Sequence, residues 1–458
     1  MAASLTVLCA VRGPAETDVV LALGATGSGV TVTRRCGDVA ELMAAAAAGA
    51  GAVAVVSADL PGLDREVVAR LHADGVRLVA LGEPAVPTDR LRALGVDVVV
   101  ERFDEAVVLA AVRDAAPSAS AAGMLLGHGG EGREPESRDP SDAPAAQGPE
   151  GPGDRRGHVV AVWGPVGAPG RTTTATELAA SLAGLGTRAG RRGRRRRAAT
   201  PRATETVLLV DADTYGASVA ARLGLLDDAP GLAAASRAAA QGTLDLPTLA
   251  RHSPVVGGRL RVLTGITRAA RWPELSASAL EVVLDRSREL ADWTVVDCGA
   301  VLESDELLMY DTHAPQRNAA TLAALQAADV VVVVGAADPV GIQRLVRGLE
   351  DLAEVPVPVA ASRVVVANRV RSSAVGPHPE AAVLDALARY AGVDDAHVVP
   401  DDPASLDAAL LVGRTLAEHA PGSPVAGALD GLADRVRELV AAALTADSGE
   451  PAAAAVVA

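Results

Sequence analysis

Residues 159–173 read Val-Val-Ala-Val-Trp-Gly-Pro-Val-Gly-Ala-Pro-Gly-Arg-Thr-Thr, and this stretch decides the fold of the surrounding chain. Its first five residues are apolar, which is typical of a buried strand. The residues that follow the stretch place Leu178, Ala179, Leu182 and Leu185 on one face of a predicted helix. A strand, a glycine-rich loop with a basic residue and two hydroxyls, and a helix together indicate a phosphate-binding loop.

The residues of the loop have expected roles. Glycines let backbone N–H groups converge on phosphate oxygens, and the start of the helix adds a favourable dipole. Arg171 would neutralise phosphate charge, Thr172 would ligate Mg²⁺ and Thr173 would bond an inner phosphate. Three glycines are expected to line the phosphates: Gly164, Gly167 and Gly170.

The spacing of the loop departs from the general pattern. Five residues separate Gly164 from Gly170, where the pattern has four, and Arg171 stands where the pattern has lysine. The alternative interpretation is therefore an ordinary Gly/Pro turn between a strand and a helix.

Polar residues at the ends of three later apolar runs favour the functional interpretation. Asp211 and Asp213 follow the run 207–210, Asp297 follows 293–296, and Asn368 follows 364–367. A single Asp after a strand is commonly a turn or helix cap. Because ligands bind at the carboxyl ends of parallel strands, these side chains and the loop are expected to meet at one edge of a sheet.

Composition excludes some classes of protein. The 458-residue chain has a formal net charge of −15, so a uniformly basic nucleic-acid-binding surface is not expected. The chain contains no lysine, so Arg171 can be an arginine that replaces the lysine of the loop and still supplies its positive charge. The cysteines Cys9, Cys36 and Cys298 are far apart and show no metal-binding spacing. With no visible signal peptide and only short apolar runs, a cytoplasmic protein is expected.

Three zones differ in composition. Residues 1–115 alternate strand and helix patterns, with strands predicted at 5–11, 30–33, 52–57, 77–81 and 96–100. Residues 116–157 are rich in Gly, Pro and Glu and are predicted to be a flexible linker. Residues 158–445 return to strand and helix alternation, and 446–458 are predicted to be a disordered tail. The expected fold class is α/β, with a doubly wound parallel sheet in each of two domains.

The segments from Val159 to Leu444 together resemble the ParA/MinD family of deviant P-loop ATPases. The resemblance implies ATP and Mg²⁺ as ligands and an ATP-dependent homodimer. It implies that Asp213 orients the attacking water, that Asp211 supports Asp213 and the metal, that Asp297 holds Mg²⁺ through water, and that Asn368 reads the adenine edge.

The family's loop carries two lysines, and this sequence matches neither. The early lysine, which reaches the partner's ATP across the dimer, corresponds to Val166, and the second lysine corresponds to Arg171. Degenerate loops of this kind are found in the CpaE/TadZ branch, which acts in pilus assembly. Since arginine is a broader cation than lysine and Val166 carries no charge, slow or partner-dependent hydrolysis is expected.

The first zone resembles a response-regulator receiver, which has a flavodoxin-like fold. The phosphoacceptor Asp of a receiver corresponds to Ser57, and the usual acidic pair is absent from residues 10–14. The resemblance therefore implies an atypical receiver that cannot be phosphorylated on aspartate. A receiver-like domain before a ParA/MinD-type domain is the CpaE/TadZ layout; the alternative is an unrelated flavodoxin-like domain.

An arginine-rich insert occupies residues 188–204, with its basic residues between Arg188 and Arg202. Its functional interpretation is a peripheral contact with anionic lipid at the inner face of the plasma membrane, or a nonspecific contact with DNA or RNA. The alternative is a solvated, disordered loop.

The leading hypothesis is a nucleotide-switched spatial regulator with protein partners in pilus or secretion assembly, septum placement or partition. The alternatives are a non-catalytic scaffold with a degenerate site and a partition ATPase that binds DNA through the insert.

Overall fold

The computed structural model describes residues 4–13, 15–116, 156–186, 205–226, 230–303 and 316–447. Most of the predicted linker, the arginine-rich insert and most of the predicted tail lie outside these residues. The chain divides into two compact units, Met1–Arg155 with Ala240–Thr243 and Arg156–Ala239 with Leu244–Ala458. Each unit contains one sheet whose strands are all or mostly parallel, which confirms the predicted α/β fold class.

The first unit is a five-stranded parallel sheet with strand order β2-β1-β3-β4-β5. Aspartates begin three of its helices, because a carboxylate can accept the free N–H groups of a first helical turn. Asp38, Asp64 and Asp104 do so for α2, α3 and α5. The strands are β1 Leu5–Ala10, β2 Val30–Arg35, β3 Val53–Ser57, β4 Arg77–Leu81 and β5 Val98–Val100, and the helices are α1 Ala15–Leu23, α2 Val39–Ala47, α3 Arg65–Ala73, α4 Thr88–Leu94 and α5 Glu105–Ala115.

Both faces of this first sheet are buried. Val7 and Cys9 of β1 pack into one apolar cluster, and Leu8 and Ala10 pack into another. Adjacent residues of a strand point to opposite faces, so helices cover the sheet on both sides. The strand therefore reads as a continuous apolar run rather than as an alternating pattern.

The second unit is an eight-stranded sheet with the order β13-β12-β11-β6-β10-β7-β9-β8. Among the strands that the structure describes in this unit, only the edge pair β8 and β9 is antiparallel. The strands are β6 His158–Trp163, β7 Val207–Ala212, β8 Val255–Gly257, β9 Leu260–Leu263, β10 Trp293–Cys298, β11 Val330–Ala336, β12 Arg363–Val370 and β13 His397–Pro400.

Helices of the second unit connect these strands. They are α6 Arg171–Leu182, α7 Val219–Arg222, α8 Gly231–Ala240, α9 Leu246–His252, α10 Ala277–Leu290, α11 Ala319–Ala327, α12 Pro339–Glu354, α13 Ser372–Val375, α14 Pro379–Ala391, α15 Pro403–Leu411, α16 Leu416–His419 and α17 Pro424–Asp447, with a 3-10 turn at Ala269–Glu274. Among the described residues, no helix combines the length and the apolar character needed to cross a membrane.

The central strands β6, β10 and β7 bring the loop and the acidic residues to one edge of the second sheet. Asp297 of β10 pairs with Asp211 of β7 and with Val162 of β6 in the strand register. Helix α6, which begins at the loop, is buried from Thr174 to Leu182. The glycine-rich loop is therefore attached to a helix that is buried over most of its length.

All three cysteines of the chain are buried and free. Cys9 and Cys36 belong to the two apolar clusters of the first unit, and Cys298 ends β10 in the second unit. Burial raises the pKa of each thiol.

Candidate nucleotide-binding site

The loop between β6 and α6 requires glycine for two different reasons. Gly167 and Gly170 have φ angles of 79° and 94°, a left-handed conformation that residues with a Cβ rarely adopt. At Gly164 the reason is space, because a Cβ there would overlap the carbonyl oxygen of Val334 on β11. The first glycine thus fits the loop against the sheet, and the other two shape its path.

The start of α6 presents open backbone donors to the loop. Thr174 N–H donates to the Gly170 carbonyl at 2.8 Å, and it is the first N–H of the helix to bond back in this way. The N–H groups of Arg171, Thr172 and Thr173 precede it and have no partner of the helical pattern. The arrangement leaves three backbone N–H groups and two partly exposed threonines at the start of α6, where a helix favours phosphate binding.

Arg171 turns back over the loop. Its Nη1 atom is 3.4 Å from both the Gly164 and the Pro165 carbonyl oxygens, and its Nη2 atom is 3.9 Å from Asp213 Oδ2. The Arg171 side chain is 18% exposed. Part of its charge is therefore shared with the loop carbonyls and with one carboxylate.

Asp211 and Asp213 are held by backbone N–H groups. Asp211 accepts from Val219 N–H at 3.0 Å and from Asp213 N–H at 3.3 Å. Burial raises the pKa of Asp211 to about 7, and these backbone donors offset part of the increase. Asp213 Oδ1 accepts from Tyr215 N–H at 2.8 Å and Gly216 N–H at 3.1 Å, so Oδ2 is the oxygen directed toward Arg171.

Asp297 is a buried carboxylate that lies beside the Thr172 hydroxyl. Neither of its oxygens forms a hydrogen bond of ordinary geometry with any described residue, although the side chain is almost fully buried. Burial and the Asp211 carboxylate raise its pKa well above the usual value, and the nearby Thr172 hydroxyl and Arg171 offset part of that increase. A buried carboxylate left in this way costs free energy unless a cation or donor joins it.

The donor set fits Mg²⁺ held together with phosphates. Within the described residues, no group of three or more His, Cys, Asp or Glu side chains could hold a metal ion by itself. Mg²⁺ is usually bound by one or two carboxylates, with phosphate oxygens and water completing the octahedron. Asp297 and the Thr172 hydroxyl supply ligands of that kind.

Asn368, which the sequence predicts to read a base, lies against the loop. Its Nδ2 atom donates to the Pro169 carbonyl at 2.9 Å, and a Cβ on Gly170 would overlap the same atom. The pairing of β12 with β11 ends at Asn368, which lies opposite Ala336. The structure thus places Asn368, two residues before the end of β12, against the glycine-rich loop, and the role of Asn368 in base recognition stays a prediction.

Arg344 on α12 is a neighbour of the loop that sequence reasoning missed. Its guanidinium group occupies the space that a Cβ on Gly167 would fill. Together with Trp163, Pro165 and Val166 it lines a cleft of about 580 Å³ beside the loop. Because α12 follows β11 and lies far from the loop in sequence, no local pattern marks this residue.

In the first unit, Ser57 ends β3 at the position predicted from receivers. The side chain is buried, and its Oγ atom accepts a hydrogen bond from Arg12 N–H at 2.8 Å. A hydroxyl occupied in this way is a structural partner of the loop after β1. The resemblance of this unit to receivers stays a prediction beyond its five-stranded parallel sheet.

No family model matches the sequence, and no curated protein matches it. Several solved structures are similar to the chain. One is a ParA family ATPase from Chlorobium tepidum TLS, with 17% identity and a TM-score of 0.47, covering 61% of this chain and 98% of that chain. Another is the septum site-determining protein MinD complexed with Mg-ADP from Pyrococcus horikoshii OT3, with 19% identity and a TM-score of 0.45, covering 62% and 97%. A Cyanothece McdA(D38A)–ATP complex has 15% identity and a TM-score of 0.44, covering 62% and 97%.

Proposed function

We propose that the second unit binds ATP with Mg²⁺ and is an ATPase of the ParA/MinD type. The observation that carries the proposal is the buried Asp297 carboxylate beside Thr172, which forms no hydrogen bond of ordinary geometry with any described residue. An ordinary Gly/Pro turn gives no reason to bury an acid with so little hydrogen bonding at that place. A bound cation removes the cost of this arrangement.

Each group at the site has its own role in binding or hydrolysis. The loop amides and Arg171 bind phosphate oxygens, and Thr172 and Asp297 hold Mg²⁺, which would neutralise phosphate charge when bound. Asp213 orients the attacking water through Oδ2, since its Oδ1 is occupied by two backbone N–H groups. Asp211 accepts from Asp213 N–H and fixes the turn that carries Asp213.

The Asp213→Ala variant tests binding and hydrolysis separately. We expect it to keep an ATP- and Mg²⁺-dependent rise in melting temperature and to lose ATP turnover by about 100-fold, a typical contribution of a catalytic acid–base group. Turnover is measured by phosphate release and binding by thermal denaturation. If wild-type protein shows no Mg-ATP-dependent change in melting temperature, the proposed function is wrong.

We further propose that ATP switches the second unit between monomer and homodimer, so that the chain acts as a spatial regulator. Its partners would belong to a pilus or secretion machinery, to septum placement or to partition, and the first unit, if receiver-like, favours pilus assembly. Sedimentation of the Asp213→Ala variant with ATP and with ADP tests the switch. A sedimentation coefficient that is the same with both nucleotides contradicts it.

A non-catalytic scaffold is the second candidate function. The observation that favours it is Val166, which is 65% exposed on the loop and carries no charge where the ParA/MinD family has a lysine. A scaffold would bind Mg-ATP without measurable turnover in the wild type. In that case Asp213→Ala would leave the rate of phosphate release unchanged.

A further inference from the structure

We propose that Arg344 of α12 is a phosphate-binding cation of the nucleotide site, supplied from within the same chain. The proposal rests on the proposed function and deepens it. It assigns to Arg344 the binding of anionic oxygens of a nucleoside triphosphate above Gly167. Neither the motif of the loop nor its sequence neighbours indicate this residue.

The position of the Arg344 guanidinium carries the first step. Its Nη1 atom is so close to Gly167 that any Cβ on that residue would overlap it, and Cζ would be about 3.0 Å away from the same Cβ. Gly167 has a φ of 79°, so its backbone already adopts the conformation in which loop amides converge. The cation therefore lies against Gly167, in the space that a side chain on this residue would occupy.

Close packing holds α12 in this place. A Cβ on Gly348 would come within 2.9 Å of the Pro165 ring, and a Cβ on Gly335 within 2.7 Å of Leu345. Asp338 begins the helix and accepts from Gly341 N–H at 2.9 Å. Because glycines let the helix approach both β11 and the loop, the side chain of Arg344 can reach Gly167 from a fixed backbone.

The charge of Arg344 is available for a ligand. Among the residues that the structure describes, Arg344 has no recorded hydrogen bond or ion pair, whereas Arg171 already shares its charge with Asp213 and with two carbonyls. Three acids, Glu303, Asp351 and Glu354, line the same cleft without pairing with it. Guanidinium groups bind phosphate oxygens through two parallel hydrogen bonds, so a free one at this loop fits a phosphate ligand.

The Arg344→Ala variant is compared with Arg347→Ala, which removes the same charge from the same cleft three residues further along α12. The probe is ATP with Mg²⁺, and the dissociation constant is measured by isothermal titration calorimetry. We expect Arg344→Ala to weaken binding about tenfold or more, as for loss of a hydrogen bond to a charged group, and Arg347→Ala to weaken it about twofold or less. Arg344→Lys should recover part of the affinity, because lysine restores the positive charge but cannot form the two parallel hydrogen bonds of a guanidinium group.

Arg344→Lys keeps the proposal falsifiable if Arg344→Ala perturbs the fold, because lysine retains the charge and most of the length of the side chain. The melting temperature without nucleotide shows which variants fold, and we expect Arg344→Lys to bind Mg-ATP more weakly than wild type and more tightly than Arg344→Ala. Equal affinities of Arg344→Ala and wild type, or equal losses in Arg344→Ala and Arg347→Ala, would overturn the proposal. Wild-type protein that binds no Mg-ATP would overturn the proposed function as well, so the two failures are distinguishable.

Discussion

At the scale of single residues, the sequence predicts where the acids at the strand ends lie but not what surrounds them. An apolar run that ends in Asp211 or Asp297 predicts a polar group at the carboxyl edge of a sheet, and the structure places both there. The sequence does not show that Asp297 lies inside the strand with no hydrogen bond of ordinary geometry to any residue that the structure describes. That property depends on which side chains surround it, and those come from distant segments.

The substitution Gly170→Ala is expected to destabilise the second unit by about 2 kcal/mol, since a residue with Cβ is strained at a φ of 94°. The new methyl group would also displace Asn368 Nδ2 from its contact with the loop. The free energy of unfolding is measured by chemical denaturation.

The matched control is Gly427→Ala. Gly427 lies in α17, and nothing lies within 4 Å of the position that its Cβ would take. Alanine is favoured over glycine in a helix by about 1 kcal/mol, so this variant should be more stable than wild type. If Gly170→Ala is as stable as Gly427→Ala, the left-handed geometry of the loop is wrong.

At the scale of elements, a buried ion pair ties α6 to its neighbours. Glu177 of α6 is 3.2 Å from Arg222 of α7 and accepts from Leu416 N–H of α16 at 2.8 Å. The two side chains are 2% and 11% exposed. The helix that begins at the phosphate loop is thus held from two sides by one carboxylate, which no local pattern in the sequence indicates.

The substitution Arg222→Ala is expected to lower the free energy of unfolding by about 3 kcal/mol near neutral pH, because it leaves the Glu177 carboxylate buried without its cation. Arg286→Ala is the control. Arg286 pairs with Glu289 on the exposed face of α10, so its loss should cost about 0.5 kcal/mol or less. Equal losses in the two variants would contradict the structural role of the Glu177–Arg222 pair.

The loss caused by Arg222→Ala should also depend on pH. Burial raises the pKa of Glu177 in the folded protein, and the positive charge of Arg222 is the main effect that offsets this increase. Because the pKa of Glu177 is higher in the folded protein than in the unfolded chain, this carboxyl group favours the folded state most at low pH. That contribution to the free energy of unfolding is lost as pH rises through the folded-state pKa. The destabilisation should therefore be smaller at about pH 5 than at about pH 8, and a loss that is constant over this range would contradict the assignment.

At the scale of the whole molecule, alternation of strand and helix patterns predicts both sheets, and the five strands predicted within residues 1–115 agree with the observed ones to within two residues at either end. The edge strand β8, Val255–Gly257, was not predicted, because three residues of an antiparallel edge leave no periodic pattern. Arg344 was missed for a different reason. Its contact with Gly167 exists only once β11 and β6 pair in the sheet and place α12 against the loop.

Ligand binding should act on one unit of the chain. We expect Mg-ATP to slow hydrogen exchange of backbone amides in residues 164–174 and 211–219, because binding stabilises the bound conformation by mass action. The amides of β3 and β4 in the first unit should exchange at the same rate with and without nucleotide. Mass spectrometry of peptides after deuterium labelling measures both, and protection confined to the first unit would contradict the assignment of the site.

The three buried thiols give the molecule internal reporters of local opening. Cys9 lies in β1 of the first sheet, Cys36 directly follows β2, Cys298 ends β10 of the second sheet, and the chain has no other cysteine. A thiol reagent can modify a buried thiol only when the structure around it opens, so the labelling rate at each site reports local opening there. Wild-type protein can thus reveal which sheet opens first without any introduced probe, and a cysteine added at an exposed position would react before the native three.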